Sequence, residues 1–439
     1  MKETTVSVIG LGFVGLSIAV TNAIKGIKTI GVDINEQKIN NLKKCKIDFF
    51  EPGLDKKLKK SISSKNILFT QNIHDAIINS DITFLSVGTP PKKSGDVDLK
   101  FINNALKQIF RSLQNKKKYH LLVIKSTLPP STTKKNILPR FQKLIKNRKM
   151  DIVVNPEFLR EGFAIQDILK PHLIVIGADN KTGDKILEKY YEKFYSRMPE
   201  IIHTDLTSAE LIKYANNAFL ATKISFINSI ANICQKLPES DVNEIAYAIG
   251  KDTRIGPLFL KAGPGFGGSC LPKDLSGLIS FSRKINESEK FFEAVKNVNS
   301  EQPKKIIQIM KKMNVLEKNN SIAILGLAFK KDTDDVREAV SIKVVDNLVK
   351  RGLKVKVHDP MAMKNFEKIF GDRIIYCKSI SSCLEKTNCC VLFTEWEQYK
   401  KLNSNNFKGM KQKNIIDARR VLDINKFTKM NFEAIGLGK

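Results

Sequence analysis

The sequence predicts an α/β protein with two doubly wound domains joined by a helical central region that carries a long helix. Three observations predict it. Short β-branched runs alternate with helix-like runs from Val6 to Gly177, and again from Ser321 to Asp417. Between those stretches, residues 207–236 contain neither Pro nor Gly and repeat apolar residues at helical spacing. The length, 439 residues, exceeds what one hydrophobic core supports and suggests two or three domains.

Val6–Ile9 reads as a strand and runs into Gly10-Leu11-Gly12-Phe13-Val14-Gly15, then into an apolar helix from Leu16 to Ile24. A second strand, Thr29–Val32, ends in Asp33. Strand, glycine turn, helix, strand and acid form the dinucleotide-binding pattern, which makes this domain Rossmann-like. The first glycine allows the tight turn, the second lets backbone approach a pyrophosphate, and the third lets helix pack on strand. The pyrophosphate would sit on the helix N-terminus. Asp33 would accept from a ribose hydroxyl and repel a 2′-phosphate, which favours NAD over NADP.

Further strands are expected at 81–87, 120–125, 151–154 and 173–177, closing a first domain, 1–203. In open α/β sheets ligands bind beyond the carboxyl ends of strands. Thr89, Thr127, Glu157 and Glu161 follow such ends. The long helix opens a central region, 204–312. On it Lys213 and Asn217 stand four apart and share a face. Two polar groups on an otherwise apolar helix are costly without a partner, so a site or a solvated face accounts for them. A second, smaller α/β domain covers 313–439, with strands at 321–325, 354–358, 389–393 and 414–417.

Gly263-Pro264-Gly265-Phe266-Gly267-Gly268-Ser269-Cys270-Leu271-Pro272-Lys273-Asp274 is the densest stretch of chemistry in the chain. Glycines would let a ligand approach the backbone. A cation such as Lys273 favours thiolate over thiol, and Asp274 could orient a water or a lysine. The competing reading is a tight turn holding an inert cysteine.

Composition limits the alternatives. Hydrophobic and charged contents of 42% and 27% are those of a soluble globular protein. The net charge of +29 would suit nucleic acid or an acidic membrane, but the lysines are spread along the chain without a zinc-finger spacing or a basic–aromatic platform. No specific nucleic-acid partner is expected; a positive surface still attracts anionic small molecules. The seven cysteines include no C-x-x-C pair, which argues against a disulfide framework or a metal site. Without a signal peptide or a long apolar run, a cytoplasmic protein off the membrane is expected.

With these motifs in order, the chain resembles the UDP-glucose/GDP-mannose dehydrogenase family from Val6 to about Asp423. The most specific pieces are Gly263–Asp274, Asn155–Gly162, Lys213–Asn217 and Gly326–Arg337. Phe49–Leu54 and Arg254–Lys261 look most like the UDP-glucose branch of it. The resemblance implies oxidation of a sugar C6 alcohol to a carboxylate, UDP-glucose to UDP-glucuronate, with two NAD and one water. It implies Cys270 as nucleophile, forming a thiohemiacetal and then a thioester. Lys213 and Asn217 would stabilise the oxyanion, Asp274 would handle a proton with a water, Thr127 would lie near that water and Glu157 would be a candidate base. For the cofactor it carries over Gly10, Gly12, Val14, Gly15, Asp33, Lys38, Thr89, Thr127, Glu161, Lys273 and Arg337. For the nucleotide sugar it carries over Glu157, Phe158, Leu159, Arg160, Glu161, Lys213, Asn217, Phe259, Leu260, Lys261, Ala262, Gly263, Gly267 and Lys330. Arg254 would reach a neighbouring subunit's substrate, which implies at least a homodimer, and either Arg419 or Arg420 would touch substrate. Phe163 and Lys331 depart from the family pattern without removing a catalytic group. Another nucleotide sugar (GDP-mannose or a UDP-HexNAc) is the alternative substrate, and a non-catalytic NAD-binding regulator the alternative class.

Overall fold

The computed structural model describes residues 4–438. The chain forms two compact units, Met1–Asn216 and Asn217–Lys439, and the boundary falls inside the helix Leu206–Cys234.

The first unit is built on one eight-stranded sheet. Its strands are β1 (Val6–Ile9), β2 (Thr29–Val32), β3 (Ile67–Thr70), β4 (Ile82–Leu85), β5 (His120–Ile124), β6 (Met150–Val154), β7 (Ile174–Ala178) and β8 (Ile201–Thr204). They lie in the order β3-β2-β1-β4-β5-β6-β7-β8, parallel throughout except between β6 and β7. Val6 stands opposite Thr29 on one side and Ile82 on the other, so the order reverses between β1 and β4. That reversal opens a crevice at the carboxyl edge. Alternate residues feed two cores: Leu121 and Val123 pack on one face, Leu122 and Ile124 on the other. A sheet covered on both faces explains why its strands read as continuous apolar runs.

The second unit contains a six-stranded parallel sheet. Its strands are β9 (Ser321–Leu325), β10 (Lys354–His358), β11 (Ile375–Tyr376), β12 (Cys389–Leu392), β13 (Asn414–Asp417) and β14 (Asn431–Ala434). The order β11-β10-β9-β12-β13-β14 repeats the first six strands of the other sheet. Packed in the same unit are the C-terminal part of the long helix and the helices Val242–Gly250, Leu271–Lys284 and Lys290–Lys312. Ile227 and Ala231 of the long helix share a core with Ile322–Leu325 of β9. Four strands absent from the expectation, β3, β8, β11 and β14, are all at or next to sheet edges.

Candidate active site

The glycine turn after β1 has the form a dinucleotide needs. Gly10 takes φ +92°, and a Cβ there would stand 2.9 Å from the backbone of Ser86 and Val87. Gly12 faces open space and begins the helix Phe13–Ile24 with no side-chain cap, so first-turn N–H groups stay available to an anion. A Cβ on Gly15 would strike the carbonyl oxygen of Gly10, so the third glycine permits close packing of the helix on the turn. Asp33 ends β2 and accepts from the Leu11 N–H at 3.0 Å and the Asn35 N–H at 3.0 Å. It remains half-buried at the mouth of the turn, where it fits a ribose diol better than a phosphate. Val14 is half-buried, and Lys38 pairs with Asp48 at 3.1 Å. The Thr89 hydroxyl donates to the Thr127 carbonyl at 3.0 Å, tying the exits of β4 and β5 together.

The exit of β6 carries an ion pair that the chain hides. Glu157 and Lys213 are both buried, with Nζ 3.0 Å from Oε1. The other carboxylate oxygen accepts from the Leu159 N–H at 2.6 Å. Burial alone would raise this carboxyl. The charge of Lys213, the Leu159 N–H and the charge of Lys125 outweigh it and hold Glu157 below the usual carboxylate range. The Lys213 ammonium also lies 5.4 Å over the Phe158 ring. Glu51 is buried and accepts from Gly162 N–H at 2.7 Å and Ala164 N–H at 2.8 Å, which closes the loop holding Phe158, Leu159 and Glu161. Arg160 is not drawn into this cluster; it is exposed and pairs with Asp167 at 2.7 Å.

In the second unit Cys270 is half-buried and precedes the first turn of the helix Leu271–Lys284. Pro272 in that first turn needs no N–H partner. The helix start favours negative charge near the sulfur. One turn on, Asp274 is buried and accepts from the Asn217 amide at 2.6 Å, with its other oxygen bound to Lys273. Ser269 Oγ lies 3.5 Å from the sulfur. The cysteine is therefore not packed in the core. Two of the glycines before it let the loop pack closely on other segments of the chain. A Cβ on Gly267 would meet the Glu338 carbonyl at 2.4 Å, and one on Gly268, at φ +80°, would meet the Phe329 ring at 2.8 Å. Two asparagines that sequence patterns did not single out clamp the stretch. Asn228 accepts from Gly263 N–H at 2.8 Å, and Asn299 bonds both N–H and C=O of Phe266 at 2.7 and 3.0 Å.

Farther along this unit Phe259 holds a positive φ of 65°, while Leu260 and Ala262 are buried. Burial lowers the Lys261 amine, with Glu395 opposing that effect. Arg419 donates to the Phe393 and Phe329 carbonyls at 2.8 and 2.9 Å and, with Pro264, Gly267 and Phe329, lines a small cavity. Arg420 turns elsewhere, to Asp241 at 2.5 Å. Lys330 lies 5.7 Å over Phe329, Arg337 pairs with Asp335 at 2.7 Å, and Arg254 is 88% exposed beside Asp252. The second domain also has a strand-end acid, Asp359, but this one is buried and saturated. It accepts from Leu327, Ala328, Met361 and Ala362 N–H groups and from the Trp396 indole. It braces its turn and has no capacity left for a ribose. Among the described residues no group of three His, Cys, Asp or Glu is placed to hold a metal ion, and no helix is long and apolar enough to cross a membrane.

Comparison with known proteins finds a single family along the chain. Residues 4–195 match the NAD binding domain of the UDP-glucose/GDP-mannose dehydrogenase family, 207–301 its central domain and 323–424 its UDP binding domain. Over 436 residues the chain is 38% identical to the UDP-glucose 6-dehydrogenase TuaD of Bacillus subtilis (strain 168), covering 99% of this chain and 93% of that one. It is 37% identical over 436 residues to a UDP-glucose 6-dehydrogenase of Rickettsia bellii (strain RML369-C), covering 99% of each. The solved structure of a UDP-glucose dehydrogenase from the hyperthermophilic archaeon Pyrobaculum islandicum matches with a TM-score of 0.92 at 34% identity, covering 99% of this chain and 98% of that one.

Proposed function

The chain belongs to the UDP-glucose/GDP-mannose dehydrogenase family, and we propose that it oxidises UDP-glucose to UDP-glucuronate in two NAD-dependent steps at one cysteine. It is an NAD-dependent nucleotide-sugar dehydrogenase. The observation that carries the choice of sugar is full-length identity of 38% and 37% to two UDP-glucose 6-dehydrogenases.

NAD, held by the turn Gly10–Gly15 and by Asp33, supplies the hydride acceptor for both oxidations. The chain's own groups do the rest. After the first oxidation the C6 aldehyde is attacked by the Cys270 sulfur, which forms a C–S bond. Lys213 and Asn217 stabilise the negative oxygen that results, as fixed donors do for a developing oxyanion. Loss of the C6 hydride from this thiohemiacetal leaves a thioester. Water then adds to the carbonyl carbon while Glu157 takes its proton, and the C–S bond breaks to return the thiol and the carboxylate. Asp274 holds Asn217 in place through their 2.6 Å bond and exchanges protons with the same water. Lys261 and Arg419 are assigned to the anionic nucleotide end. Arg419 is chosen over Arg420 because Arg420 is engaged by Asp241. A homodimer completed by Arg254 is supported by that residue's exposure.

Offering UDP-glucose, GDP-mannose and UDP-N-acetylhexosamines with NAD tests the substrate. Two NADH per UDP-glucose are expected, and turnover with GDP-mannose alone would refute the assignment. Cys270→Ala tests the covalent route. It is expected to make no UDP-glucuronate, and unchanged glucuronate output would exclude a thioester at this residue.

A further inference from the structure

We infer that Lys125 is a positioning residue for the hydrolytic step, holding the turn that aims Glu157 and setting, by its own charge, how basic that carboxylate is. The inference rests on the reading of Glu157 as the base that activates water.

Placement comes first. Ile124 and Val154, the last residues of β5 and β6, are in register, so Lys125 and Asn155 leave the sheet side by side. Lys125 Nζ donates to Asn155 Oδ1 at 2.8 Å and to the Pro156 carbonyl at 3.3 Å. Asn155 is locked from two other directions. Its Oδ1 accepts from the Tyr191 hydroxyl at 2.5 Å, and its Nδ2 donates to the Val175 carbonyl at 2.7 Å. Pro156 fixes its own φ, and the next residue is Glu157. Lys125 therefore pins the backbone immediately before the carboxylate.

Charge comes second. Glu157 pairs with Lys213 at 3.0 Å, and Lys125 stands near enough for its charge to act on the same carboxylate. Two ammoniums and one carboxylate leave a surplus positive charge where Lys213 and Glu157 are buried and Lys125 is half-buried, which is expensive unless one proton is easily lost. Lys125 is the group that yields. Burial lowers it to about 7, the Lys213 charge acts in the same direction, and Glu157 opposes. The groups facing Lys125 are Glu157 from the β6 exit, Lys213 from the long helix, and the Tyr191 phenol through Asn155. Burial keeps that phenol protonated. A neutral donor would pin Asn155 and Pro156 at lower cost, so the retained charge points to an electrostatic task. With Lys125 charged, Glu157 is a firmly ionised but weak base. When Lys125 loses its proton, Glu157 keeps one cation, stays ionised through Lys213 and becomes a stronger base.

The test uses Lys125→Met and Lys125→Arg with UDP-glucose and NAD in single turnover from about pH 3.5 to 9, a range that reaches below the usual carboxylate value where the acid limb of Glu157 lies. Decay of the Cys270 acyl-enzyme is followed by intact mass, and the two oxidations by NADH absorbance. Lys125→Met is expected to move the acid limb of acyl-enzyme hydrolysis up by about one pH unit or more, with the first oxidation changed less than about 3-fold. Lys125→Arg, which stays charged, is expected to keep the wild-type acid limb and lose the rise in rate as pH passes neutrality. Wild-type profiles in both variants overturn the inference. So does a Lys125→Met that slows both oxidations and hydrolysis equally with no shift of the limb, the mark of a structural role alone. Glu157→Gln separates the two readings. Hydrolysis at the wild-type rate there refutes the base and with it the charge-setting role. A slow Glu157→Gln with an unshifted Lys125→Met refutes Lys125 alone.

Discussion

Glu210 stands one turn before Lys213 on the long helix and is buried, with no cation paired to it among the described residues. It accepts from the Thr133 N–H at 2.9 Å and the Thr133 hydroxyl at 2.6 Å, and so anchors the segment that follows the Thr127 loop. Burial raises its carboxyl from 4.5 to about 7, against the lowering effect of the Thr133 bonds. Between those two values the folded chain binds more protons than the unfolded one. Stability therefore falls as pH rises from 4.5 to about 7 and loses nothing further from this group above that. The full span is on the order of 3 kcal/mol. Glu210→Gln keeps an acceptor for Thr133 and removes the charge, so melting temperatures of the variant are expected to gain on wild type from pH 5 to pH 8. Parallel curves would show that the carboxylate is not penalised. The need for a polar partner was legible where a polar group broke an apolar pattern, as Lys213 and Asn217 do on their helix, and they bond Glu157 and Asp274. It was illegible where the partner is remote. Glu51 is 111 residues from Gly162, and the Tyr191–Asn155 bond spans 36 residues, so no local spacing announces either.

At the level of elements, buried strands were legible because a sheet covered on both faces needs apolar residues at every position. The edge strands were not. The burial pattern of β8 contains no buried residue, and β11 has only two residues, so neither leaves an apolar run to read. The glycine-rich stretch was legible as special, but its packing partners were not: Gly267 and Gly268 sit close against Glu338 and Phe329, which are remote in sequence. Those contacts brace the loop against the β9 exit two residues before the sulfur. Gly268→Ala is expected to cost about 2 kcal/mol or more, from the positive φ together with the clash against the ring. It should lower kcat by misplacing Cys270 and leave NADH binding at the Gly10–Gly15 turn unchanged. Urea denaturation and NADH fluorescence titration check both halves. A variant as stable and as fast as wild type would mean that Phe329 swings away at no cost.

On the scale of the whole molecule, the long helix presents a feature that the monomer leaves unexplained. Phe219, Phe226 and Ile233 are 64%, 51% and 54% exposed, and they recur every seven residues. A heptad-spaced stripe is the geometry by which a helix packs against another helix, and soluble monomers seldom expose such a strip. The occupant that fits the proposed dimer is the same stripe of a second copy. Phe226→Glu, at the centre, would place a carboxylate in that contact. The variant is expected to sediment as a monomer where wild type sediments as a dimer. It should also lose turnover if Arg254 completes a neighbour's site. A wild type that stays monomeric at tens of micromolar would refute the pairing. Charge gives the sign of a second dependence. Two copies that each carry +29 repel at long range, and apolar stripes supply no opposite charge to offset it. Added salt screens the repulsion, so dimer affinity is expected to rise with ionic strength. A contact held by ion pairs between copies would weaken instead, and the direction of the change in sedimentation between 0.05 and 0.5 M salt, about a threefold contraction of the Debye length, decides between the two.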